Sequence, residues 1–342
     1  MTDYRIVQAL AGAAHGGAEN FYFRLCLSLA EQGCQQHLLT RLYPHRQQQL
    51  SNANLEATHI DFAGRLNLWE HWRYRQQLKQ LKPDLVMTWM NRATINTPKG
   101  DYRLVARLGH YYDLKYYRHC DYWIGITKGI CDYLIAAGMP SQRVFHLPNF
   151  ADEQQVVPIK RTEISSLDLP VVLAAGRLHH NKGFDTLIHA MSNVKQAQLW
   201  LAGIGPEEQK LKQLVQQLGL EDRVLFLGWR EDVNALMQAA DLFVCPSRHE
   251  GFGSIVVEAW LNGCPILATD SQGPKELIDS GVNGLLSTID DHSELSHKIQ
   301  LLLDEPSTRA MLAANGKQHY QNHYSKARVT ARYLELFQEL CH

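Results

Sequence analysis

Twice along this chain short apolar runs alternate with helical patterns, and the second series begins only after a polar interruption. In the first series Arg5–Leu10 reads as a strand, followed by a glycine-rich turn and an amphipathic run from Ala18 to Glu31. Leu85–Trp89 and Arg103–Leu108 read as short buried strands; Tyr122–Ile126 is another, followed by a helix over 128–137 that Thr127 can cap. Residues 151–169 are polar with little periodicity and read as a linker. Strands then recur at Val171–Ala175, Leu199–Ala202, Arg223–Leu227, Leu242–Cys245, Pro265–Ala268 and Gly284–Leu286. Helical runs at 183–193, 206–218, 231–240, 254–262 and 273–280 separate them. Such alternation predicts α/β architecture with parallel sheets covered on both faces. Two series predict two Rossmann-like domains facing each other across a cleft, with ligands outside the carboxyl ends of the strands. The expected domains are 1–155 and 165–321. A final helix within 322–342, with apolar Val329, Tyr333, Leu334 and Phe337, is expected to pack back on the first.

Composition narrows the class. The 342 residues are 45% apolar and 20% charged, with a formal net charge of −1, so no global basic field calls for nucleic acid. Seven cysteines (26, 34, 120, 131, 245, 264 and 341) include no Cys-x-x-Cys pair and read as reduced core residues, not as a disulfide framework or zinc site. Met1-Thr2-Asp3-Tyr4-Arg5 leads straight into a strand, and no apolar stretch approaches a membrane span, so a cytoplasmic protein is expected. Leu66–Leu81 mixes Trp69 and Trp72 with Arg73, Arg75 and Lys79, with Lys82 just beyond. An ordinary amphipathic helix burying both tryptophans is the preferred reading. The other is a helix lying on an anionic membrane, which would make the protein peripheral to the cytoplasmic face of the inner membrane.

The chemistry concentrates in a glutamate pair, Glu250-Gly251-Phe252-Gly253-Ser254-Ile255-Val256-Val257-Glu258. The glycines let backbone amides approach a ligand, and Ser254 is expected to cap the helix that carries Glu258. A phosphate cradle between two carboxylates suits a nucleotide-sugar donor. Gly176-Arg177-Leu178 follows a strand and Lys182-Gly183 opens the next helix, so Arg177 and Lys182 could converge on a diphosphate. In the first series Gly12-Ala13-Ala14-His15-Gly16-Gly17 opens a helix without forming the dinucleotide fingerprint, which argues against a dehydrogenase. His110 follows a strand and precedes an aromatic, basic stretch, residues 111–118. No Asp-x-Asp motif is present, consistent with phosphates neutralised by side chains and helix termini rather than by a metal.

In order along the chain, these motifs resemble the family-four retaining glycosyltransferases of the GT-B fold. The ordered set is Gly176-Arg177-Leu178…Lys182-Gly183, Leu201-Ala202-Gly203-Ile204-Gly205-Pro206, Phe226-Leu227-Gly228 and Pro246-Ser247-Arg248-His249-Glu250-Gly251-Phe252-Gly253, followed by Glu258, Gly263-Cys264-Pro265 and Gly281-Val282-Asn283-Gly284. The resemblance implies that Glu258 binds the donor ribose and that Glu250, with the amides of Phe252, Gly253, Ser254 and neighbouring Ile255, holds the donor sugar and diphosphate. It implies that Arg177 and Lys182 neutralise the phosphates beside Gly176, and that Gly16 and Gly17 approach them from the first domain. Trp229-Arg230 would line the base pocket, and His110 would lie near the reacting sugar. It further implies retention, no metal and no cofactor. The expected donor is a UDP-sugar and the expected acceptor a saccharide or glycolipid of the bacterial envelope, such as lipopolysaccharide. The family's interdomain Pro-Asn-Gly-x-Asp appears here as Pro148-Asn149-Phe150-Ala151-Asp152. The alternatives are another GT-B enzyme, an epimerase or phosphorylase, and a non-catalytic nucleotide-sugar or glycan-binding module. Release of sugar phosphate would mark a phosphorylase, and donor binding without turnover would mark the module.

Overall fold

Runs such as Ile6–Leu10 and Leu85–Trp89 are buried at every residue, which a strand achieves when helices cover both faces of its sheet. The computed structural model, which describes residues 4–14, 16–62 and 67–342, follows that constraint. It divides into two compact units, Met1–Phe150 with Lys326–His342, and Ala151–Ser325. Met1–Asp3, His15 and Leu66, which enter the sequence reading, lie outside the described residues.

The first unit runs β1 (Ile6–Leu10), α1 (Gly17–Glu31), β2 (Gln36–Thr40), α2 (Pro44–Asn52), β3 (Glu56–His59), α3 (Leu68–Leu81), β4 (Leu85–Trp89), α4 (Met90–Asn96), β5 (Arg103–Leu108), β6 (Tyr122–Gly125), α5 (Lys128–Ala136) and β7 (Val144–His146). The sheet is parallel, ordered β3-β2-β1-β4-β5-β6-β7. Strand β3 (Glu-Ala-Thr-His) has no buried residue, so pairing with β2 rather than apolar burial makes it a strand. In α3 the inward stripe is Glu70, Tyr74 and Leu78. The Glu70 carboxylate accepts from the Asp61 amide at 3.2 Å and pairs with Arg73 at 3.0 Å. That rotation leaves Trp69 62% and Trp72 58% exposed, correcting the expectation of two buried indoles.

The second unit runs β8 (Val171–Ala175), α6 (Phe184–Asn193), β9 (Gln198–Ala202), α7 (Glu208–Gln217), β10 (Val224–Gly228), α8 (Val233–Ala239), β11 (Leu242–Cys245), α9 (Ser254–Leu261), β12 (Ile266–Thr269), α10 (Gln272–Leu277), β13 (Leu285–Ser287), α11 (His292–Asp304) and α12 (Pro306–His323). Its parallel sheet is ordered β10-β9-β8-β11-β12-β13. The polar stretch after Asn149 is fastened to this unit: Arg161 donates to the Ala239 carbonyl at 2.7 Å and pairs with Asp241 at 2.9 Å. Ser254 is the first residue of α9 and makes no capping bond; Gly253 (φ 78°) holds the cap position, which corrects the expected serine cap.

The final helix α13 (Lys326–Cys341) buries Val329, Tyr333 and Phe337 in the first unit's core. Ser28 and Thr330 hydroxyls lie 2.6 Å apart, and Arg332 donates to the His146 carbonyl at 2.5 Å. Arg107, only 3% exposed, donates to the Tyr333 hydroxyl at 2.8 Å and to Asn149 Oδ1. Its guanidinium lies 4.3 Å over Trp89 and 4.7 Å over Phe21, so aromatic faces stabilise the buried cation. Phe150 packs edge-on to Phe21 at 5.0 Å. The residue that replaces the family glycine is therefore a core aromatic of the first unit. Truncation of Phe337 to alanine should cost about 3–5 kcal/mol as a buried cavity. Hydrogen-exchange mass spectrometry should show faster exchange in β1 and β4 with the second unit's strands unchanged; equal loosening of both units would contradict the assignment of α13 to the first.

Candidate functional site

Strand order in the second sheet reverses between β8 and β11, and at such a switch point the loops leaving two strands diverge and open a crevice. The loops there are 176–183 and 246–253. Sixty-eight positions apart in sequence, Lys182 and Glu250 meet across them, with Lys182 Nζ donating to Glu250 Oε1. Gly183 makes the approach possible: at φ 64°, its Cα faces the Pro246 carbonyl so closely that a Cβ would stand 2.0 Å from that oxygen. Ser247 donates to the same Glu250 oxygen at 3.0 Å, while Glu250 Oε2 has no hydrogen-bond partner among the described residues. Burial opposes the charge on Lys182, but the charge and hydrogen bond of Glu250, with smaller contributions from Cys245 and Glu258, outweigh that, and its pKa lies above the ordinary 10.5. The ammonium therefore stays charged through neutral pH. The neighbouring Cys245 thiol is pushed up to about 11 by burial and by Glu250, which keeps it protonated and unsuited to act as a nucleophile.

Both loops are locked by Arg248. The Arg248 and His249 amides donate to the Asn181 carbonyl at 2.8 and 3.3 Å. The Arg248 side chain forks onto Asp185 at 2.9 and 2.8 Å and pairs with Asp290 at 2.7 Å. Burial disfavours the Asp185 carboxylate, yet the Arg248 fork holds its pKa below the ordinary 3.8, so the pair survives mild acid. Neither Ser247 nor Arg248 stands out in the sequence as a site residue; the one legible signal is Ser247 three positions before Glu250.

The other sequence-predicted residues are placed as follows. Arg177 is exposed at the start of the first loop and makes no hydrogen bond or ion pair among the described residues. Gly176 lies under the Lys182 chain, whose Cε would stand 3.7 Å from a Cβ there. Gly251 and Ile255 are half-buried and Ser254 exposed, and Phe252 is buried within 6.4 Å of Tyr324. The Gly273 amide donates to the Glu250 carbonyl at 2.9 Å and fixes the loop from behind. Glu258 is half-buried one turn into α9. Trp229 is 70% exposed, and Arg230 is taken up by Asp232 at 2.8 and 2.6 Å.

In the first unit the glycine loop after β1 already holds a carboxylate. Glu19, 6% exposed, accepts the Ala13 amide at 2.9 Å, and a Cβ on Gly16 would stand 2.2 Å from its Oε2. Gly16 thus accommodates Glu19, whereas the space beside Gly17 is open. His110 is exposed at the carboxyl end of β5, its ring 6.1 Å from Tyr111 and 6.0 Å from Tyr112.

Against known proteins, the family described as glycosyl transferases group 1 matches residues 158–319, and glycosyltransferase family 4 matches residues 15–155. The lipopolysaccharide core biosynthesis glycosyltransferase LpsE of Rhizobium meliloti (strain 1021) is 32% identical over 326 residues, covering 94% of this chain and 95% of the relative. LpsD of the same organism is 32% identical over 328 residues, again covering 94% and 95%. Among solved structures, Anabaena HepE in complex with UDP aligns over 98% of this chain and 100% of its own with a TM-score of 0.85 at 22% identity, a likeness of fold. The chain belongs to glycosyltransferase family 4, and it is a sugar-transferring enzyme built on the GT-B fold.

Proposed function

We propose that the chain transfers a glycosyl group from a nucleoside-diphosphate sugar, a UDP-sugar, to a saccharide or lipid-linked saccharide in lipopolysaccharide core synthesis, with retention and without a metal. The Lys182–Glu250 pair at the switch point of the second sheet carries the donor assignment. A half-desolvated ammonium held charged by carboxylates is suited to meet the negative charge that grows on a departing diphosphate, which is where preorganised electrostatics contribute most. Arg177, which makes no hydrogen bond or ion pair among the described residues, adds a second cation, and the amides of Phe252, Gly253 and Ser254 add dipoles at the start of α9. Glu250 Oε2 is left to accept a hydroxyl of the transferred sugar, so Glu250 orients the donor rather than attacking it. Glu258 is assigned to the ribose, the backbone at Trp229-Arg230 to the base, and Gly176, Gly251 and Ile255 to the walls of the pocket. Gly16, Gly17 and His110 are assigned to the same reaction from the family resemblance. UDP is the nucleotide in the HepE complex, and the names of LpsE and LpsD point to the acceptor class.

The membrane is the second proposed partner. No described helix is long and apolar enough to cross one. Exposed Leu68, Trp69 and Trp72 instead begin the outward face of α3, and Arg75 and Lys79 continue it into a basin of about 820 Å³. Arg5, Lys82 and Lys99 also line that basin, against Asp84 and Asp101. Indoles beside a cluster of cations complement an anionic bilayer.

Titration with UDP, GDP and ADP in EDTA should show one nucleotide binding and raising the melting temperature; binding only after magnesium is restored would overturn metal independence. Replacement of Lys182 by alanine should lower transfer about a hundredfold or more at saturating donor, as for loss of one preorganised electrostatic donor, and near-normal turnover would remove it from the site. In Glu250→Gln the counter-charge is gone while burial remains, so the Lys182 pKa should fall and the amine should acylate faster at mildly alkaline pH. Peptide mapping after acetylation reads this; unchanged labelling would contradict the pairing. Vesicles rich in phosphatidylglycerol should sediment the protein at low salt, and Trp69→Ser with Trp72→Ser should abolish it. Equal capture by the doubly substituted protein would reject this face.

A further inference from the structure

Arg248 lies two residues before Glu250 in a loop proposed to hold a diphosphate, so at first sight it is one more phosphate-binding cation. Its donors exclude that role. Nε is ion-paired with Asp290 at 2.7 Å. Nη1 donates to the His180 carbonyl at 2.6 Å and to Asp185 at 2.9 Å. Nη2 donates to Asp185 at 2.8 Å and to Thr186 Oγ1 at 3.2 Å. Of the guanidinium's five N–H donors, the four on Nη1 and Nη2 are hydrogen-bonded within the second unit, and Nε faces the Asp290 carboxylate as an ion pair. The side chain is 12% exposed and faces inward.

The partners share a location. His180, Asp185 and Thr186 bracket Lys182 on both sides, and Asp290 ties the same cluster to the β13–α11 loop, where its carboxylate also accepts from Thr186 at 3.0 Å. Through its own amide on the Asn181 carbonyl, Arg248 also grips the backbone beside Lys182. The Lys182 loop and the Glu250 loop, which leave different strands, are therefore joined by one side chain whose planar fork fixes both distance and orientation.

We infer that Arg248 is a positioning residue that sets Lys182 against Glu250 for the donor diphosphate, acting through the 180–186 turn without touching the ligand. The inference rests on the donor assignment of Lys182 made above. It accounts for why arginine stands there: lysine preserves the charge but supplies three donors without a fixed fork.

The test is a double-mutant cycle on nucleoside-diphosphate affinity, with UDP, GDP and ADP titrated calorimetrically and the tightest carried forward. Replacing Lys182 with alanine should weaken binding about tenfold or more. Arg248→Lys should weaken it about fivefold in the parent but less than twofold when Lys182 is already alanine, because residues acting through one another are non-additive. Arg248→Ala should regain affinity when guanidinium ion is added at concentrations far below those that unfold the protein, and Lys182→Ala should not. Near-ultraviolet circular dichroism checks that each variant keeps its packing; should Arg248→Lys fail it, Asp290→Asn, which removes one arm of the clasp, replaces it in the cycle. Equal losses in both backgrounds, or no rescue, would overturn the positioning role and leave the donor site standing. If the parent binds none of the three nucleotides, or Lys182→Ala binds as the parent does, the donor assignment fails and this inference fails with it.

Discussion

The second unit depends on two loops being allowed to touch. Parallel strands β8 and β11 are neighbours whose following helices lie on opposite faces of the sheet, so the loops leaving them would ordinarily splay apart. Gly183 removes the side chain that would strike Pro246, and Arg248 supplies the bonds that hold the closed arrangement. Only then can a lysine and a glutamate from distant parts of the sequence form a pair. The pair is only partly buried, so its Coulombic attraction is tempered by solvent and adds little to folding. Its value is the placement of a cation and a hydroxyl acceptor side by side at the mouth of a rigid sheet.

The first unit solves a different problem. Its sheet is completed by a helix from the far end of the chain, which must be recognised by contacts strong enough to hold a segment arriving after the whole second unit. Val329, Tyr333 and Phe337 supply apolar burial, and Arg107 supplies direction by reading the Tyr333 hydroxyl and the Asn149 amide at once. The buried guanidinium is stabilised by Trp89 and Phe21 faces, an arrangement that desolvates a weakly hydrated cation at low cost. Glu19 plays a comparable part at the glycine loop, where it occupies the surface that Gly12 and Gly16 expose.

Much of this is legible in the sequence, and the rest is not for definable reasons. Buried strands such as Leu85–Trp89 and Leu242–Cys245, and Val171–Ala175 buried at all but its last residue, announce themselves as apolar runs between turn residues. Strand β3 does not, because it is held by backbone pairing without an apolar face. The glutamates and Lys182 are visible through spacing and the glycines around them, whereas Arg248 is invisible because its partners lie about sixty residues upstream and forty downstream. The indoles of α3 mislead for another reason: periodicity marks a stripe, but the polar Glu70 won the inward position through its bonds to Asp61 and Arg73. The departure at Phe150 becomes intelligible only once Phe21 is seen beside it.

Hydrogen-exchange mass spectrometry on the full chain, with and without saturating UDP-sugar and in EDTA, tests the central claim most directly. Ligand that seats on the Lys182–Glu250 pair must slow opening of the backbone that carries it. Protection concentrated in 176–183 and 246–258 is the predicted result. Protection confined to other segments, with both of these loops exchanging as in the free protein, would contradict the account.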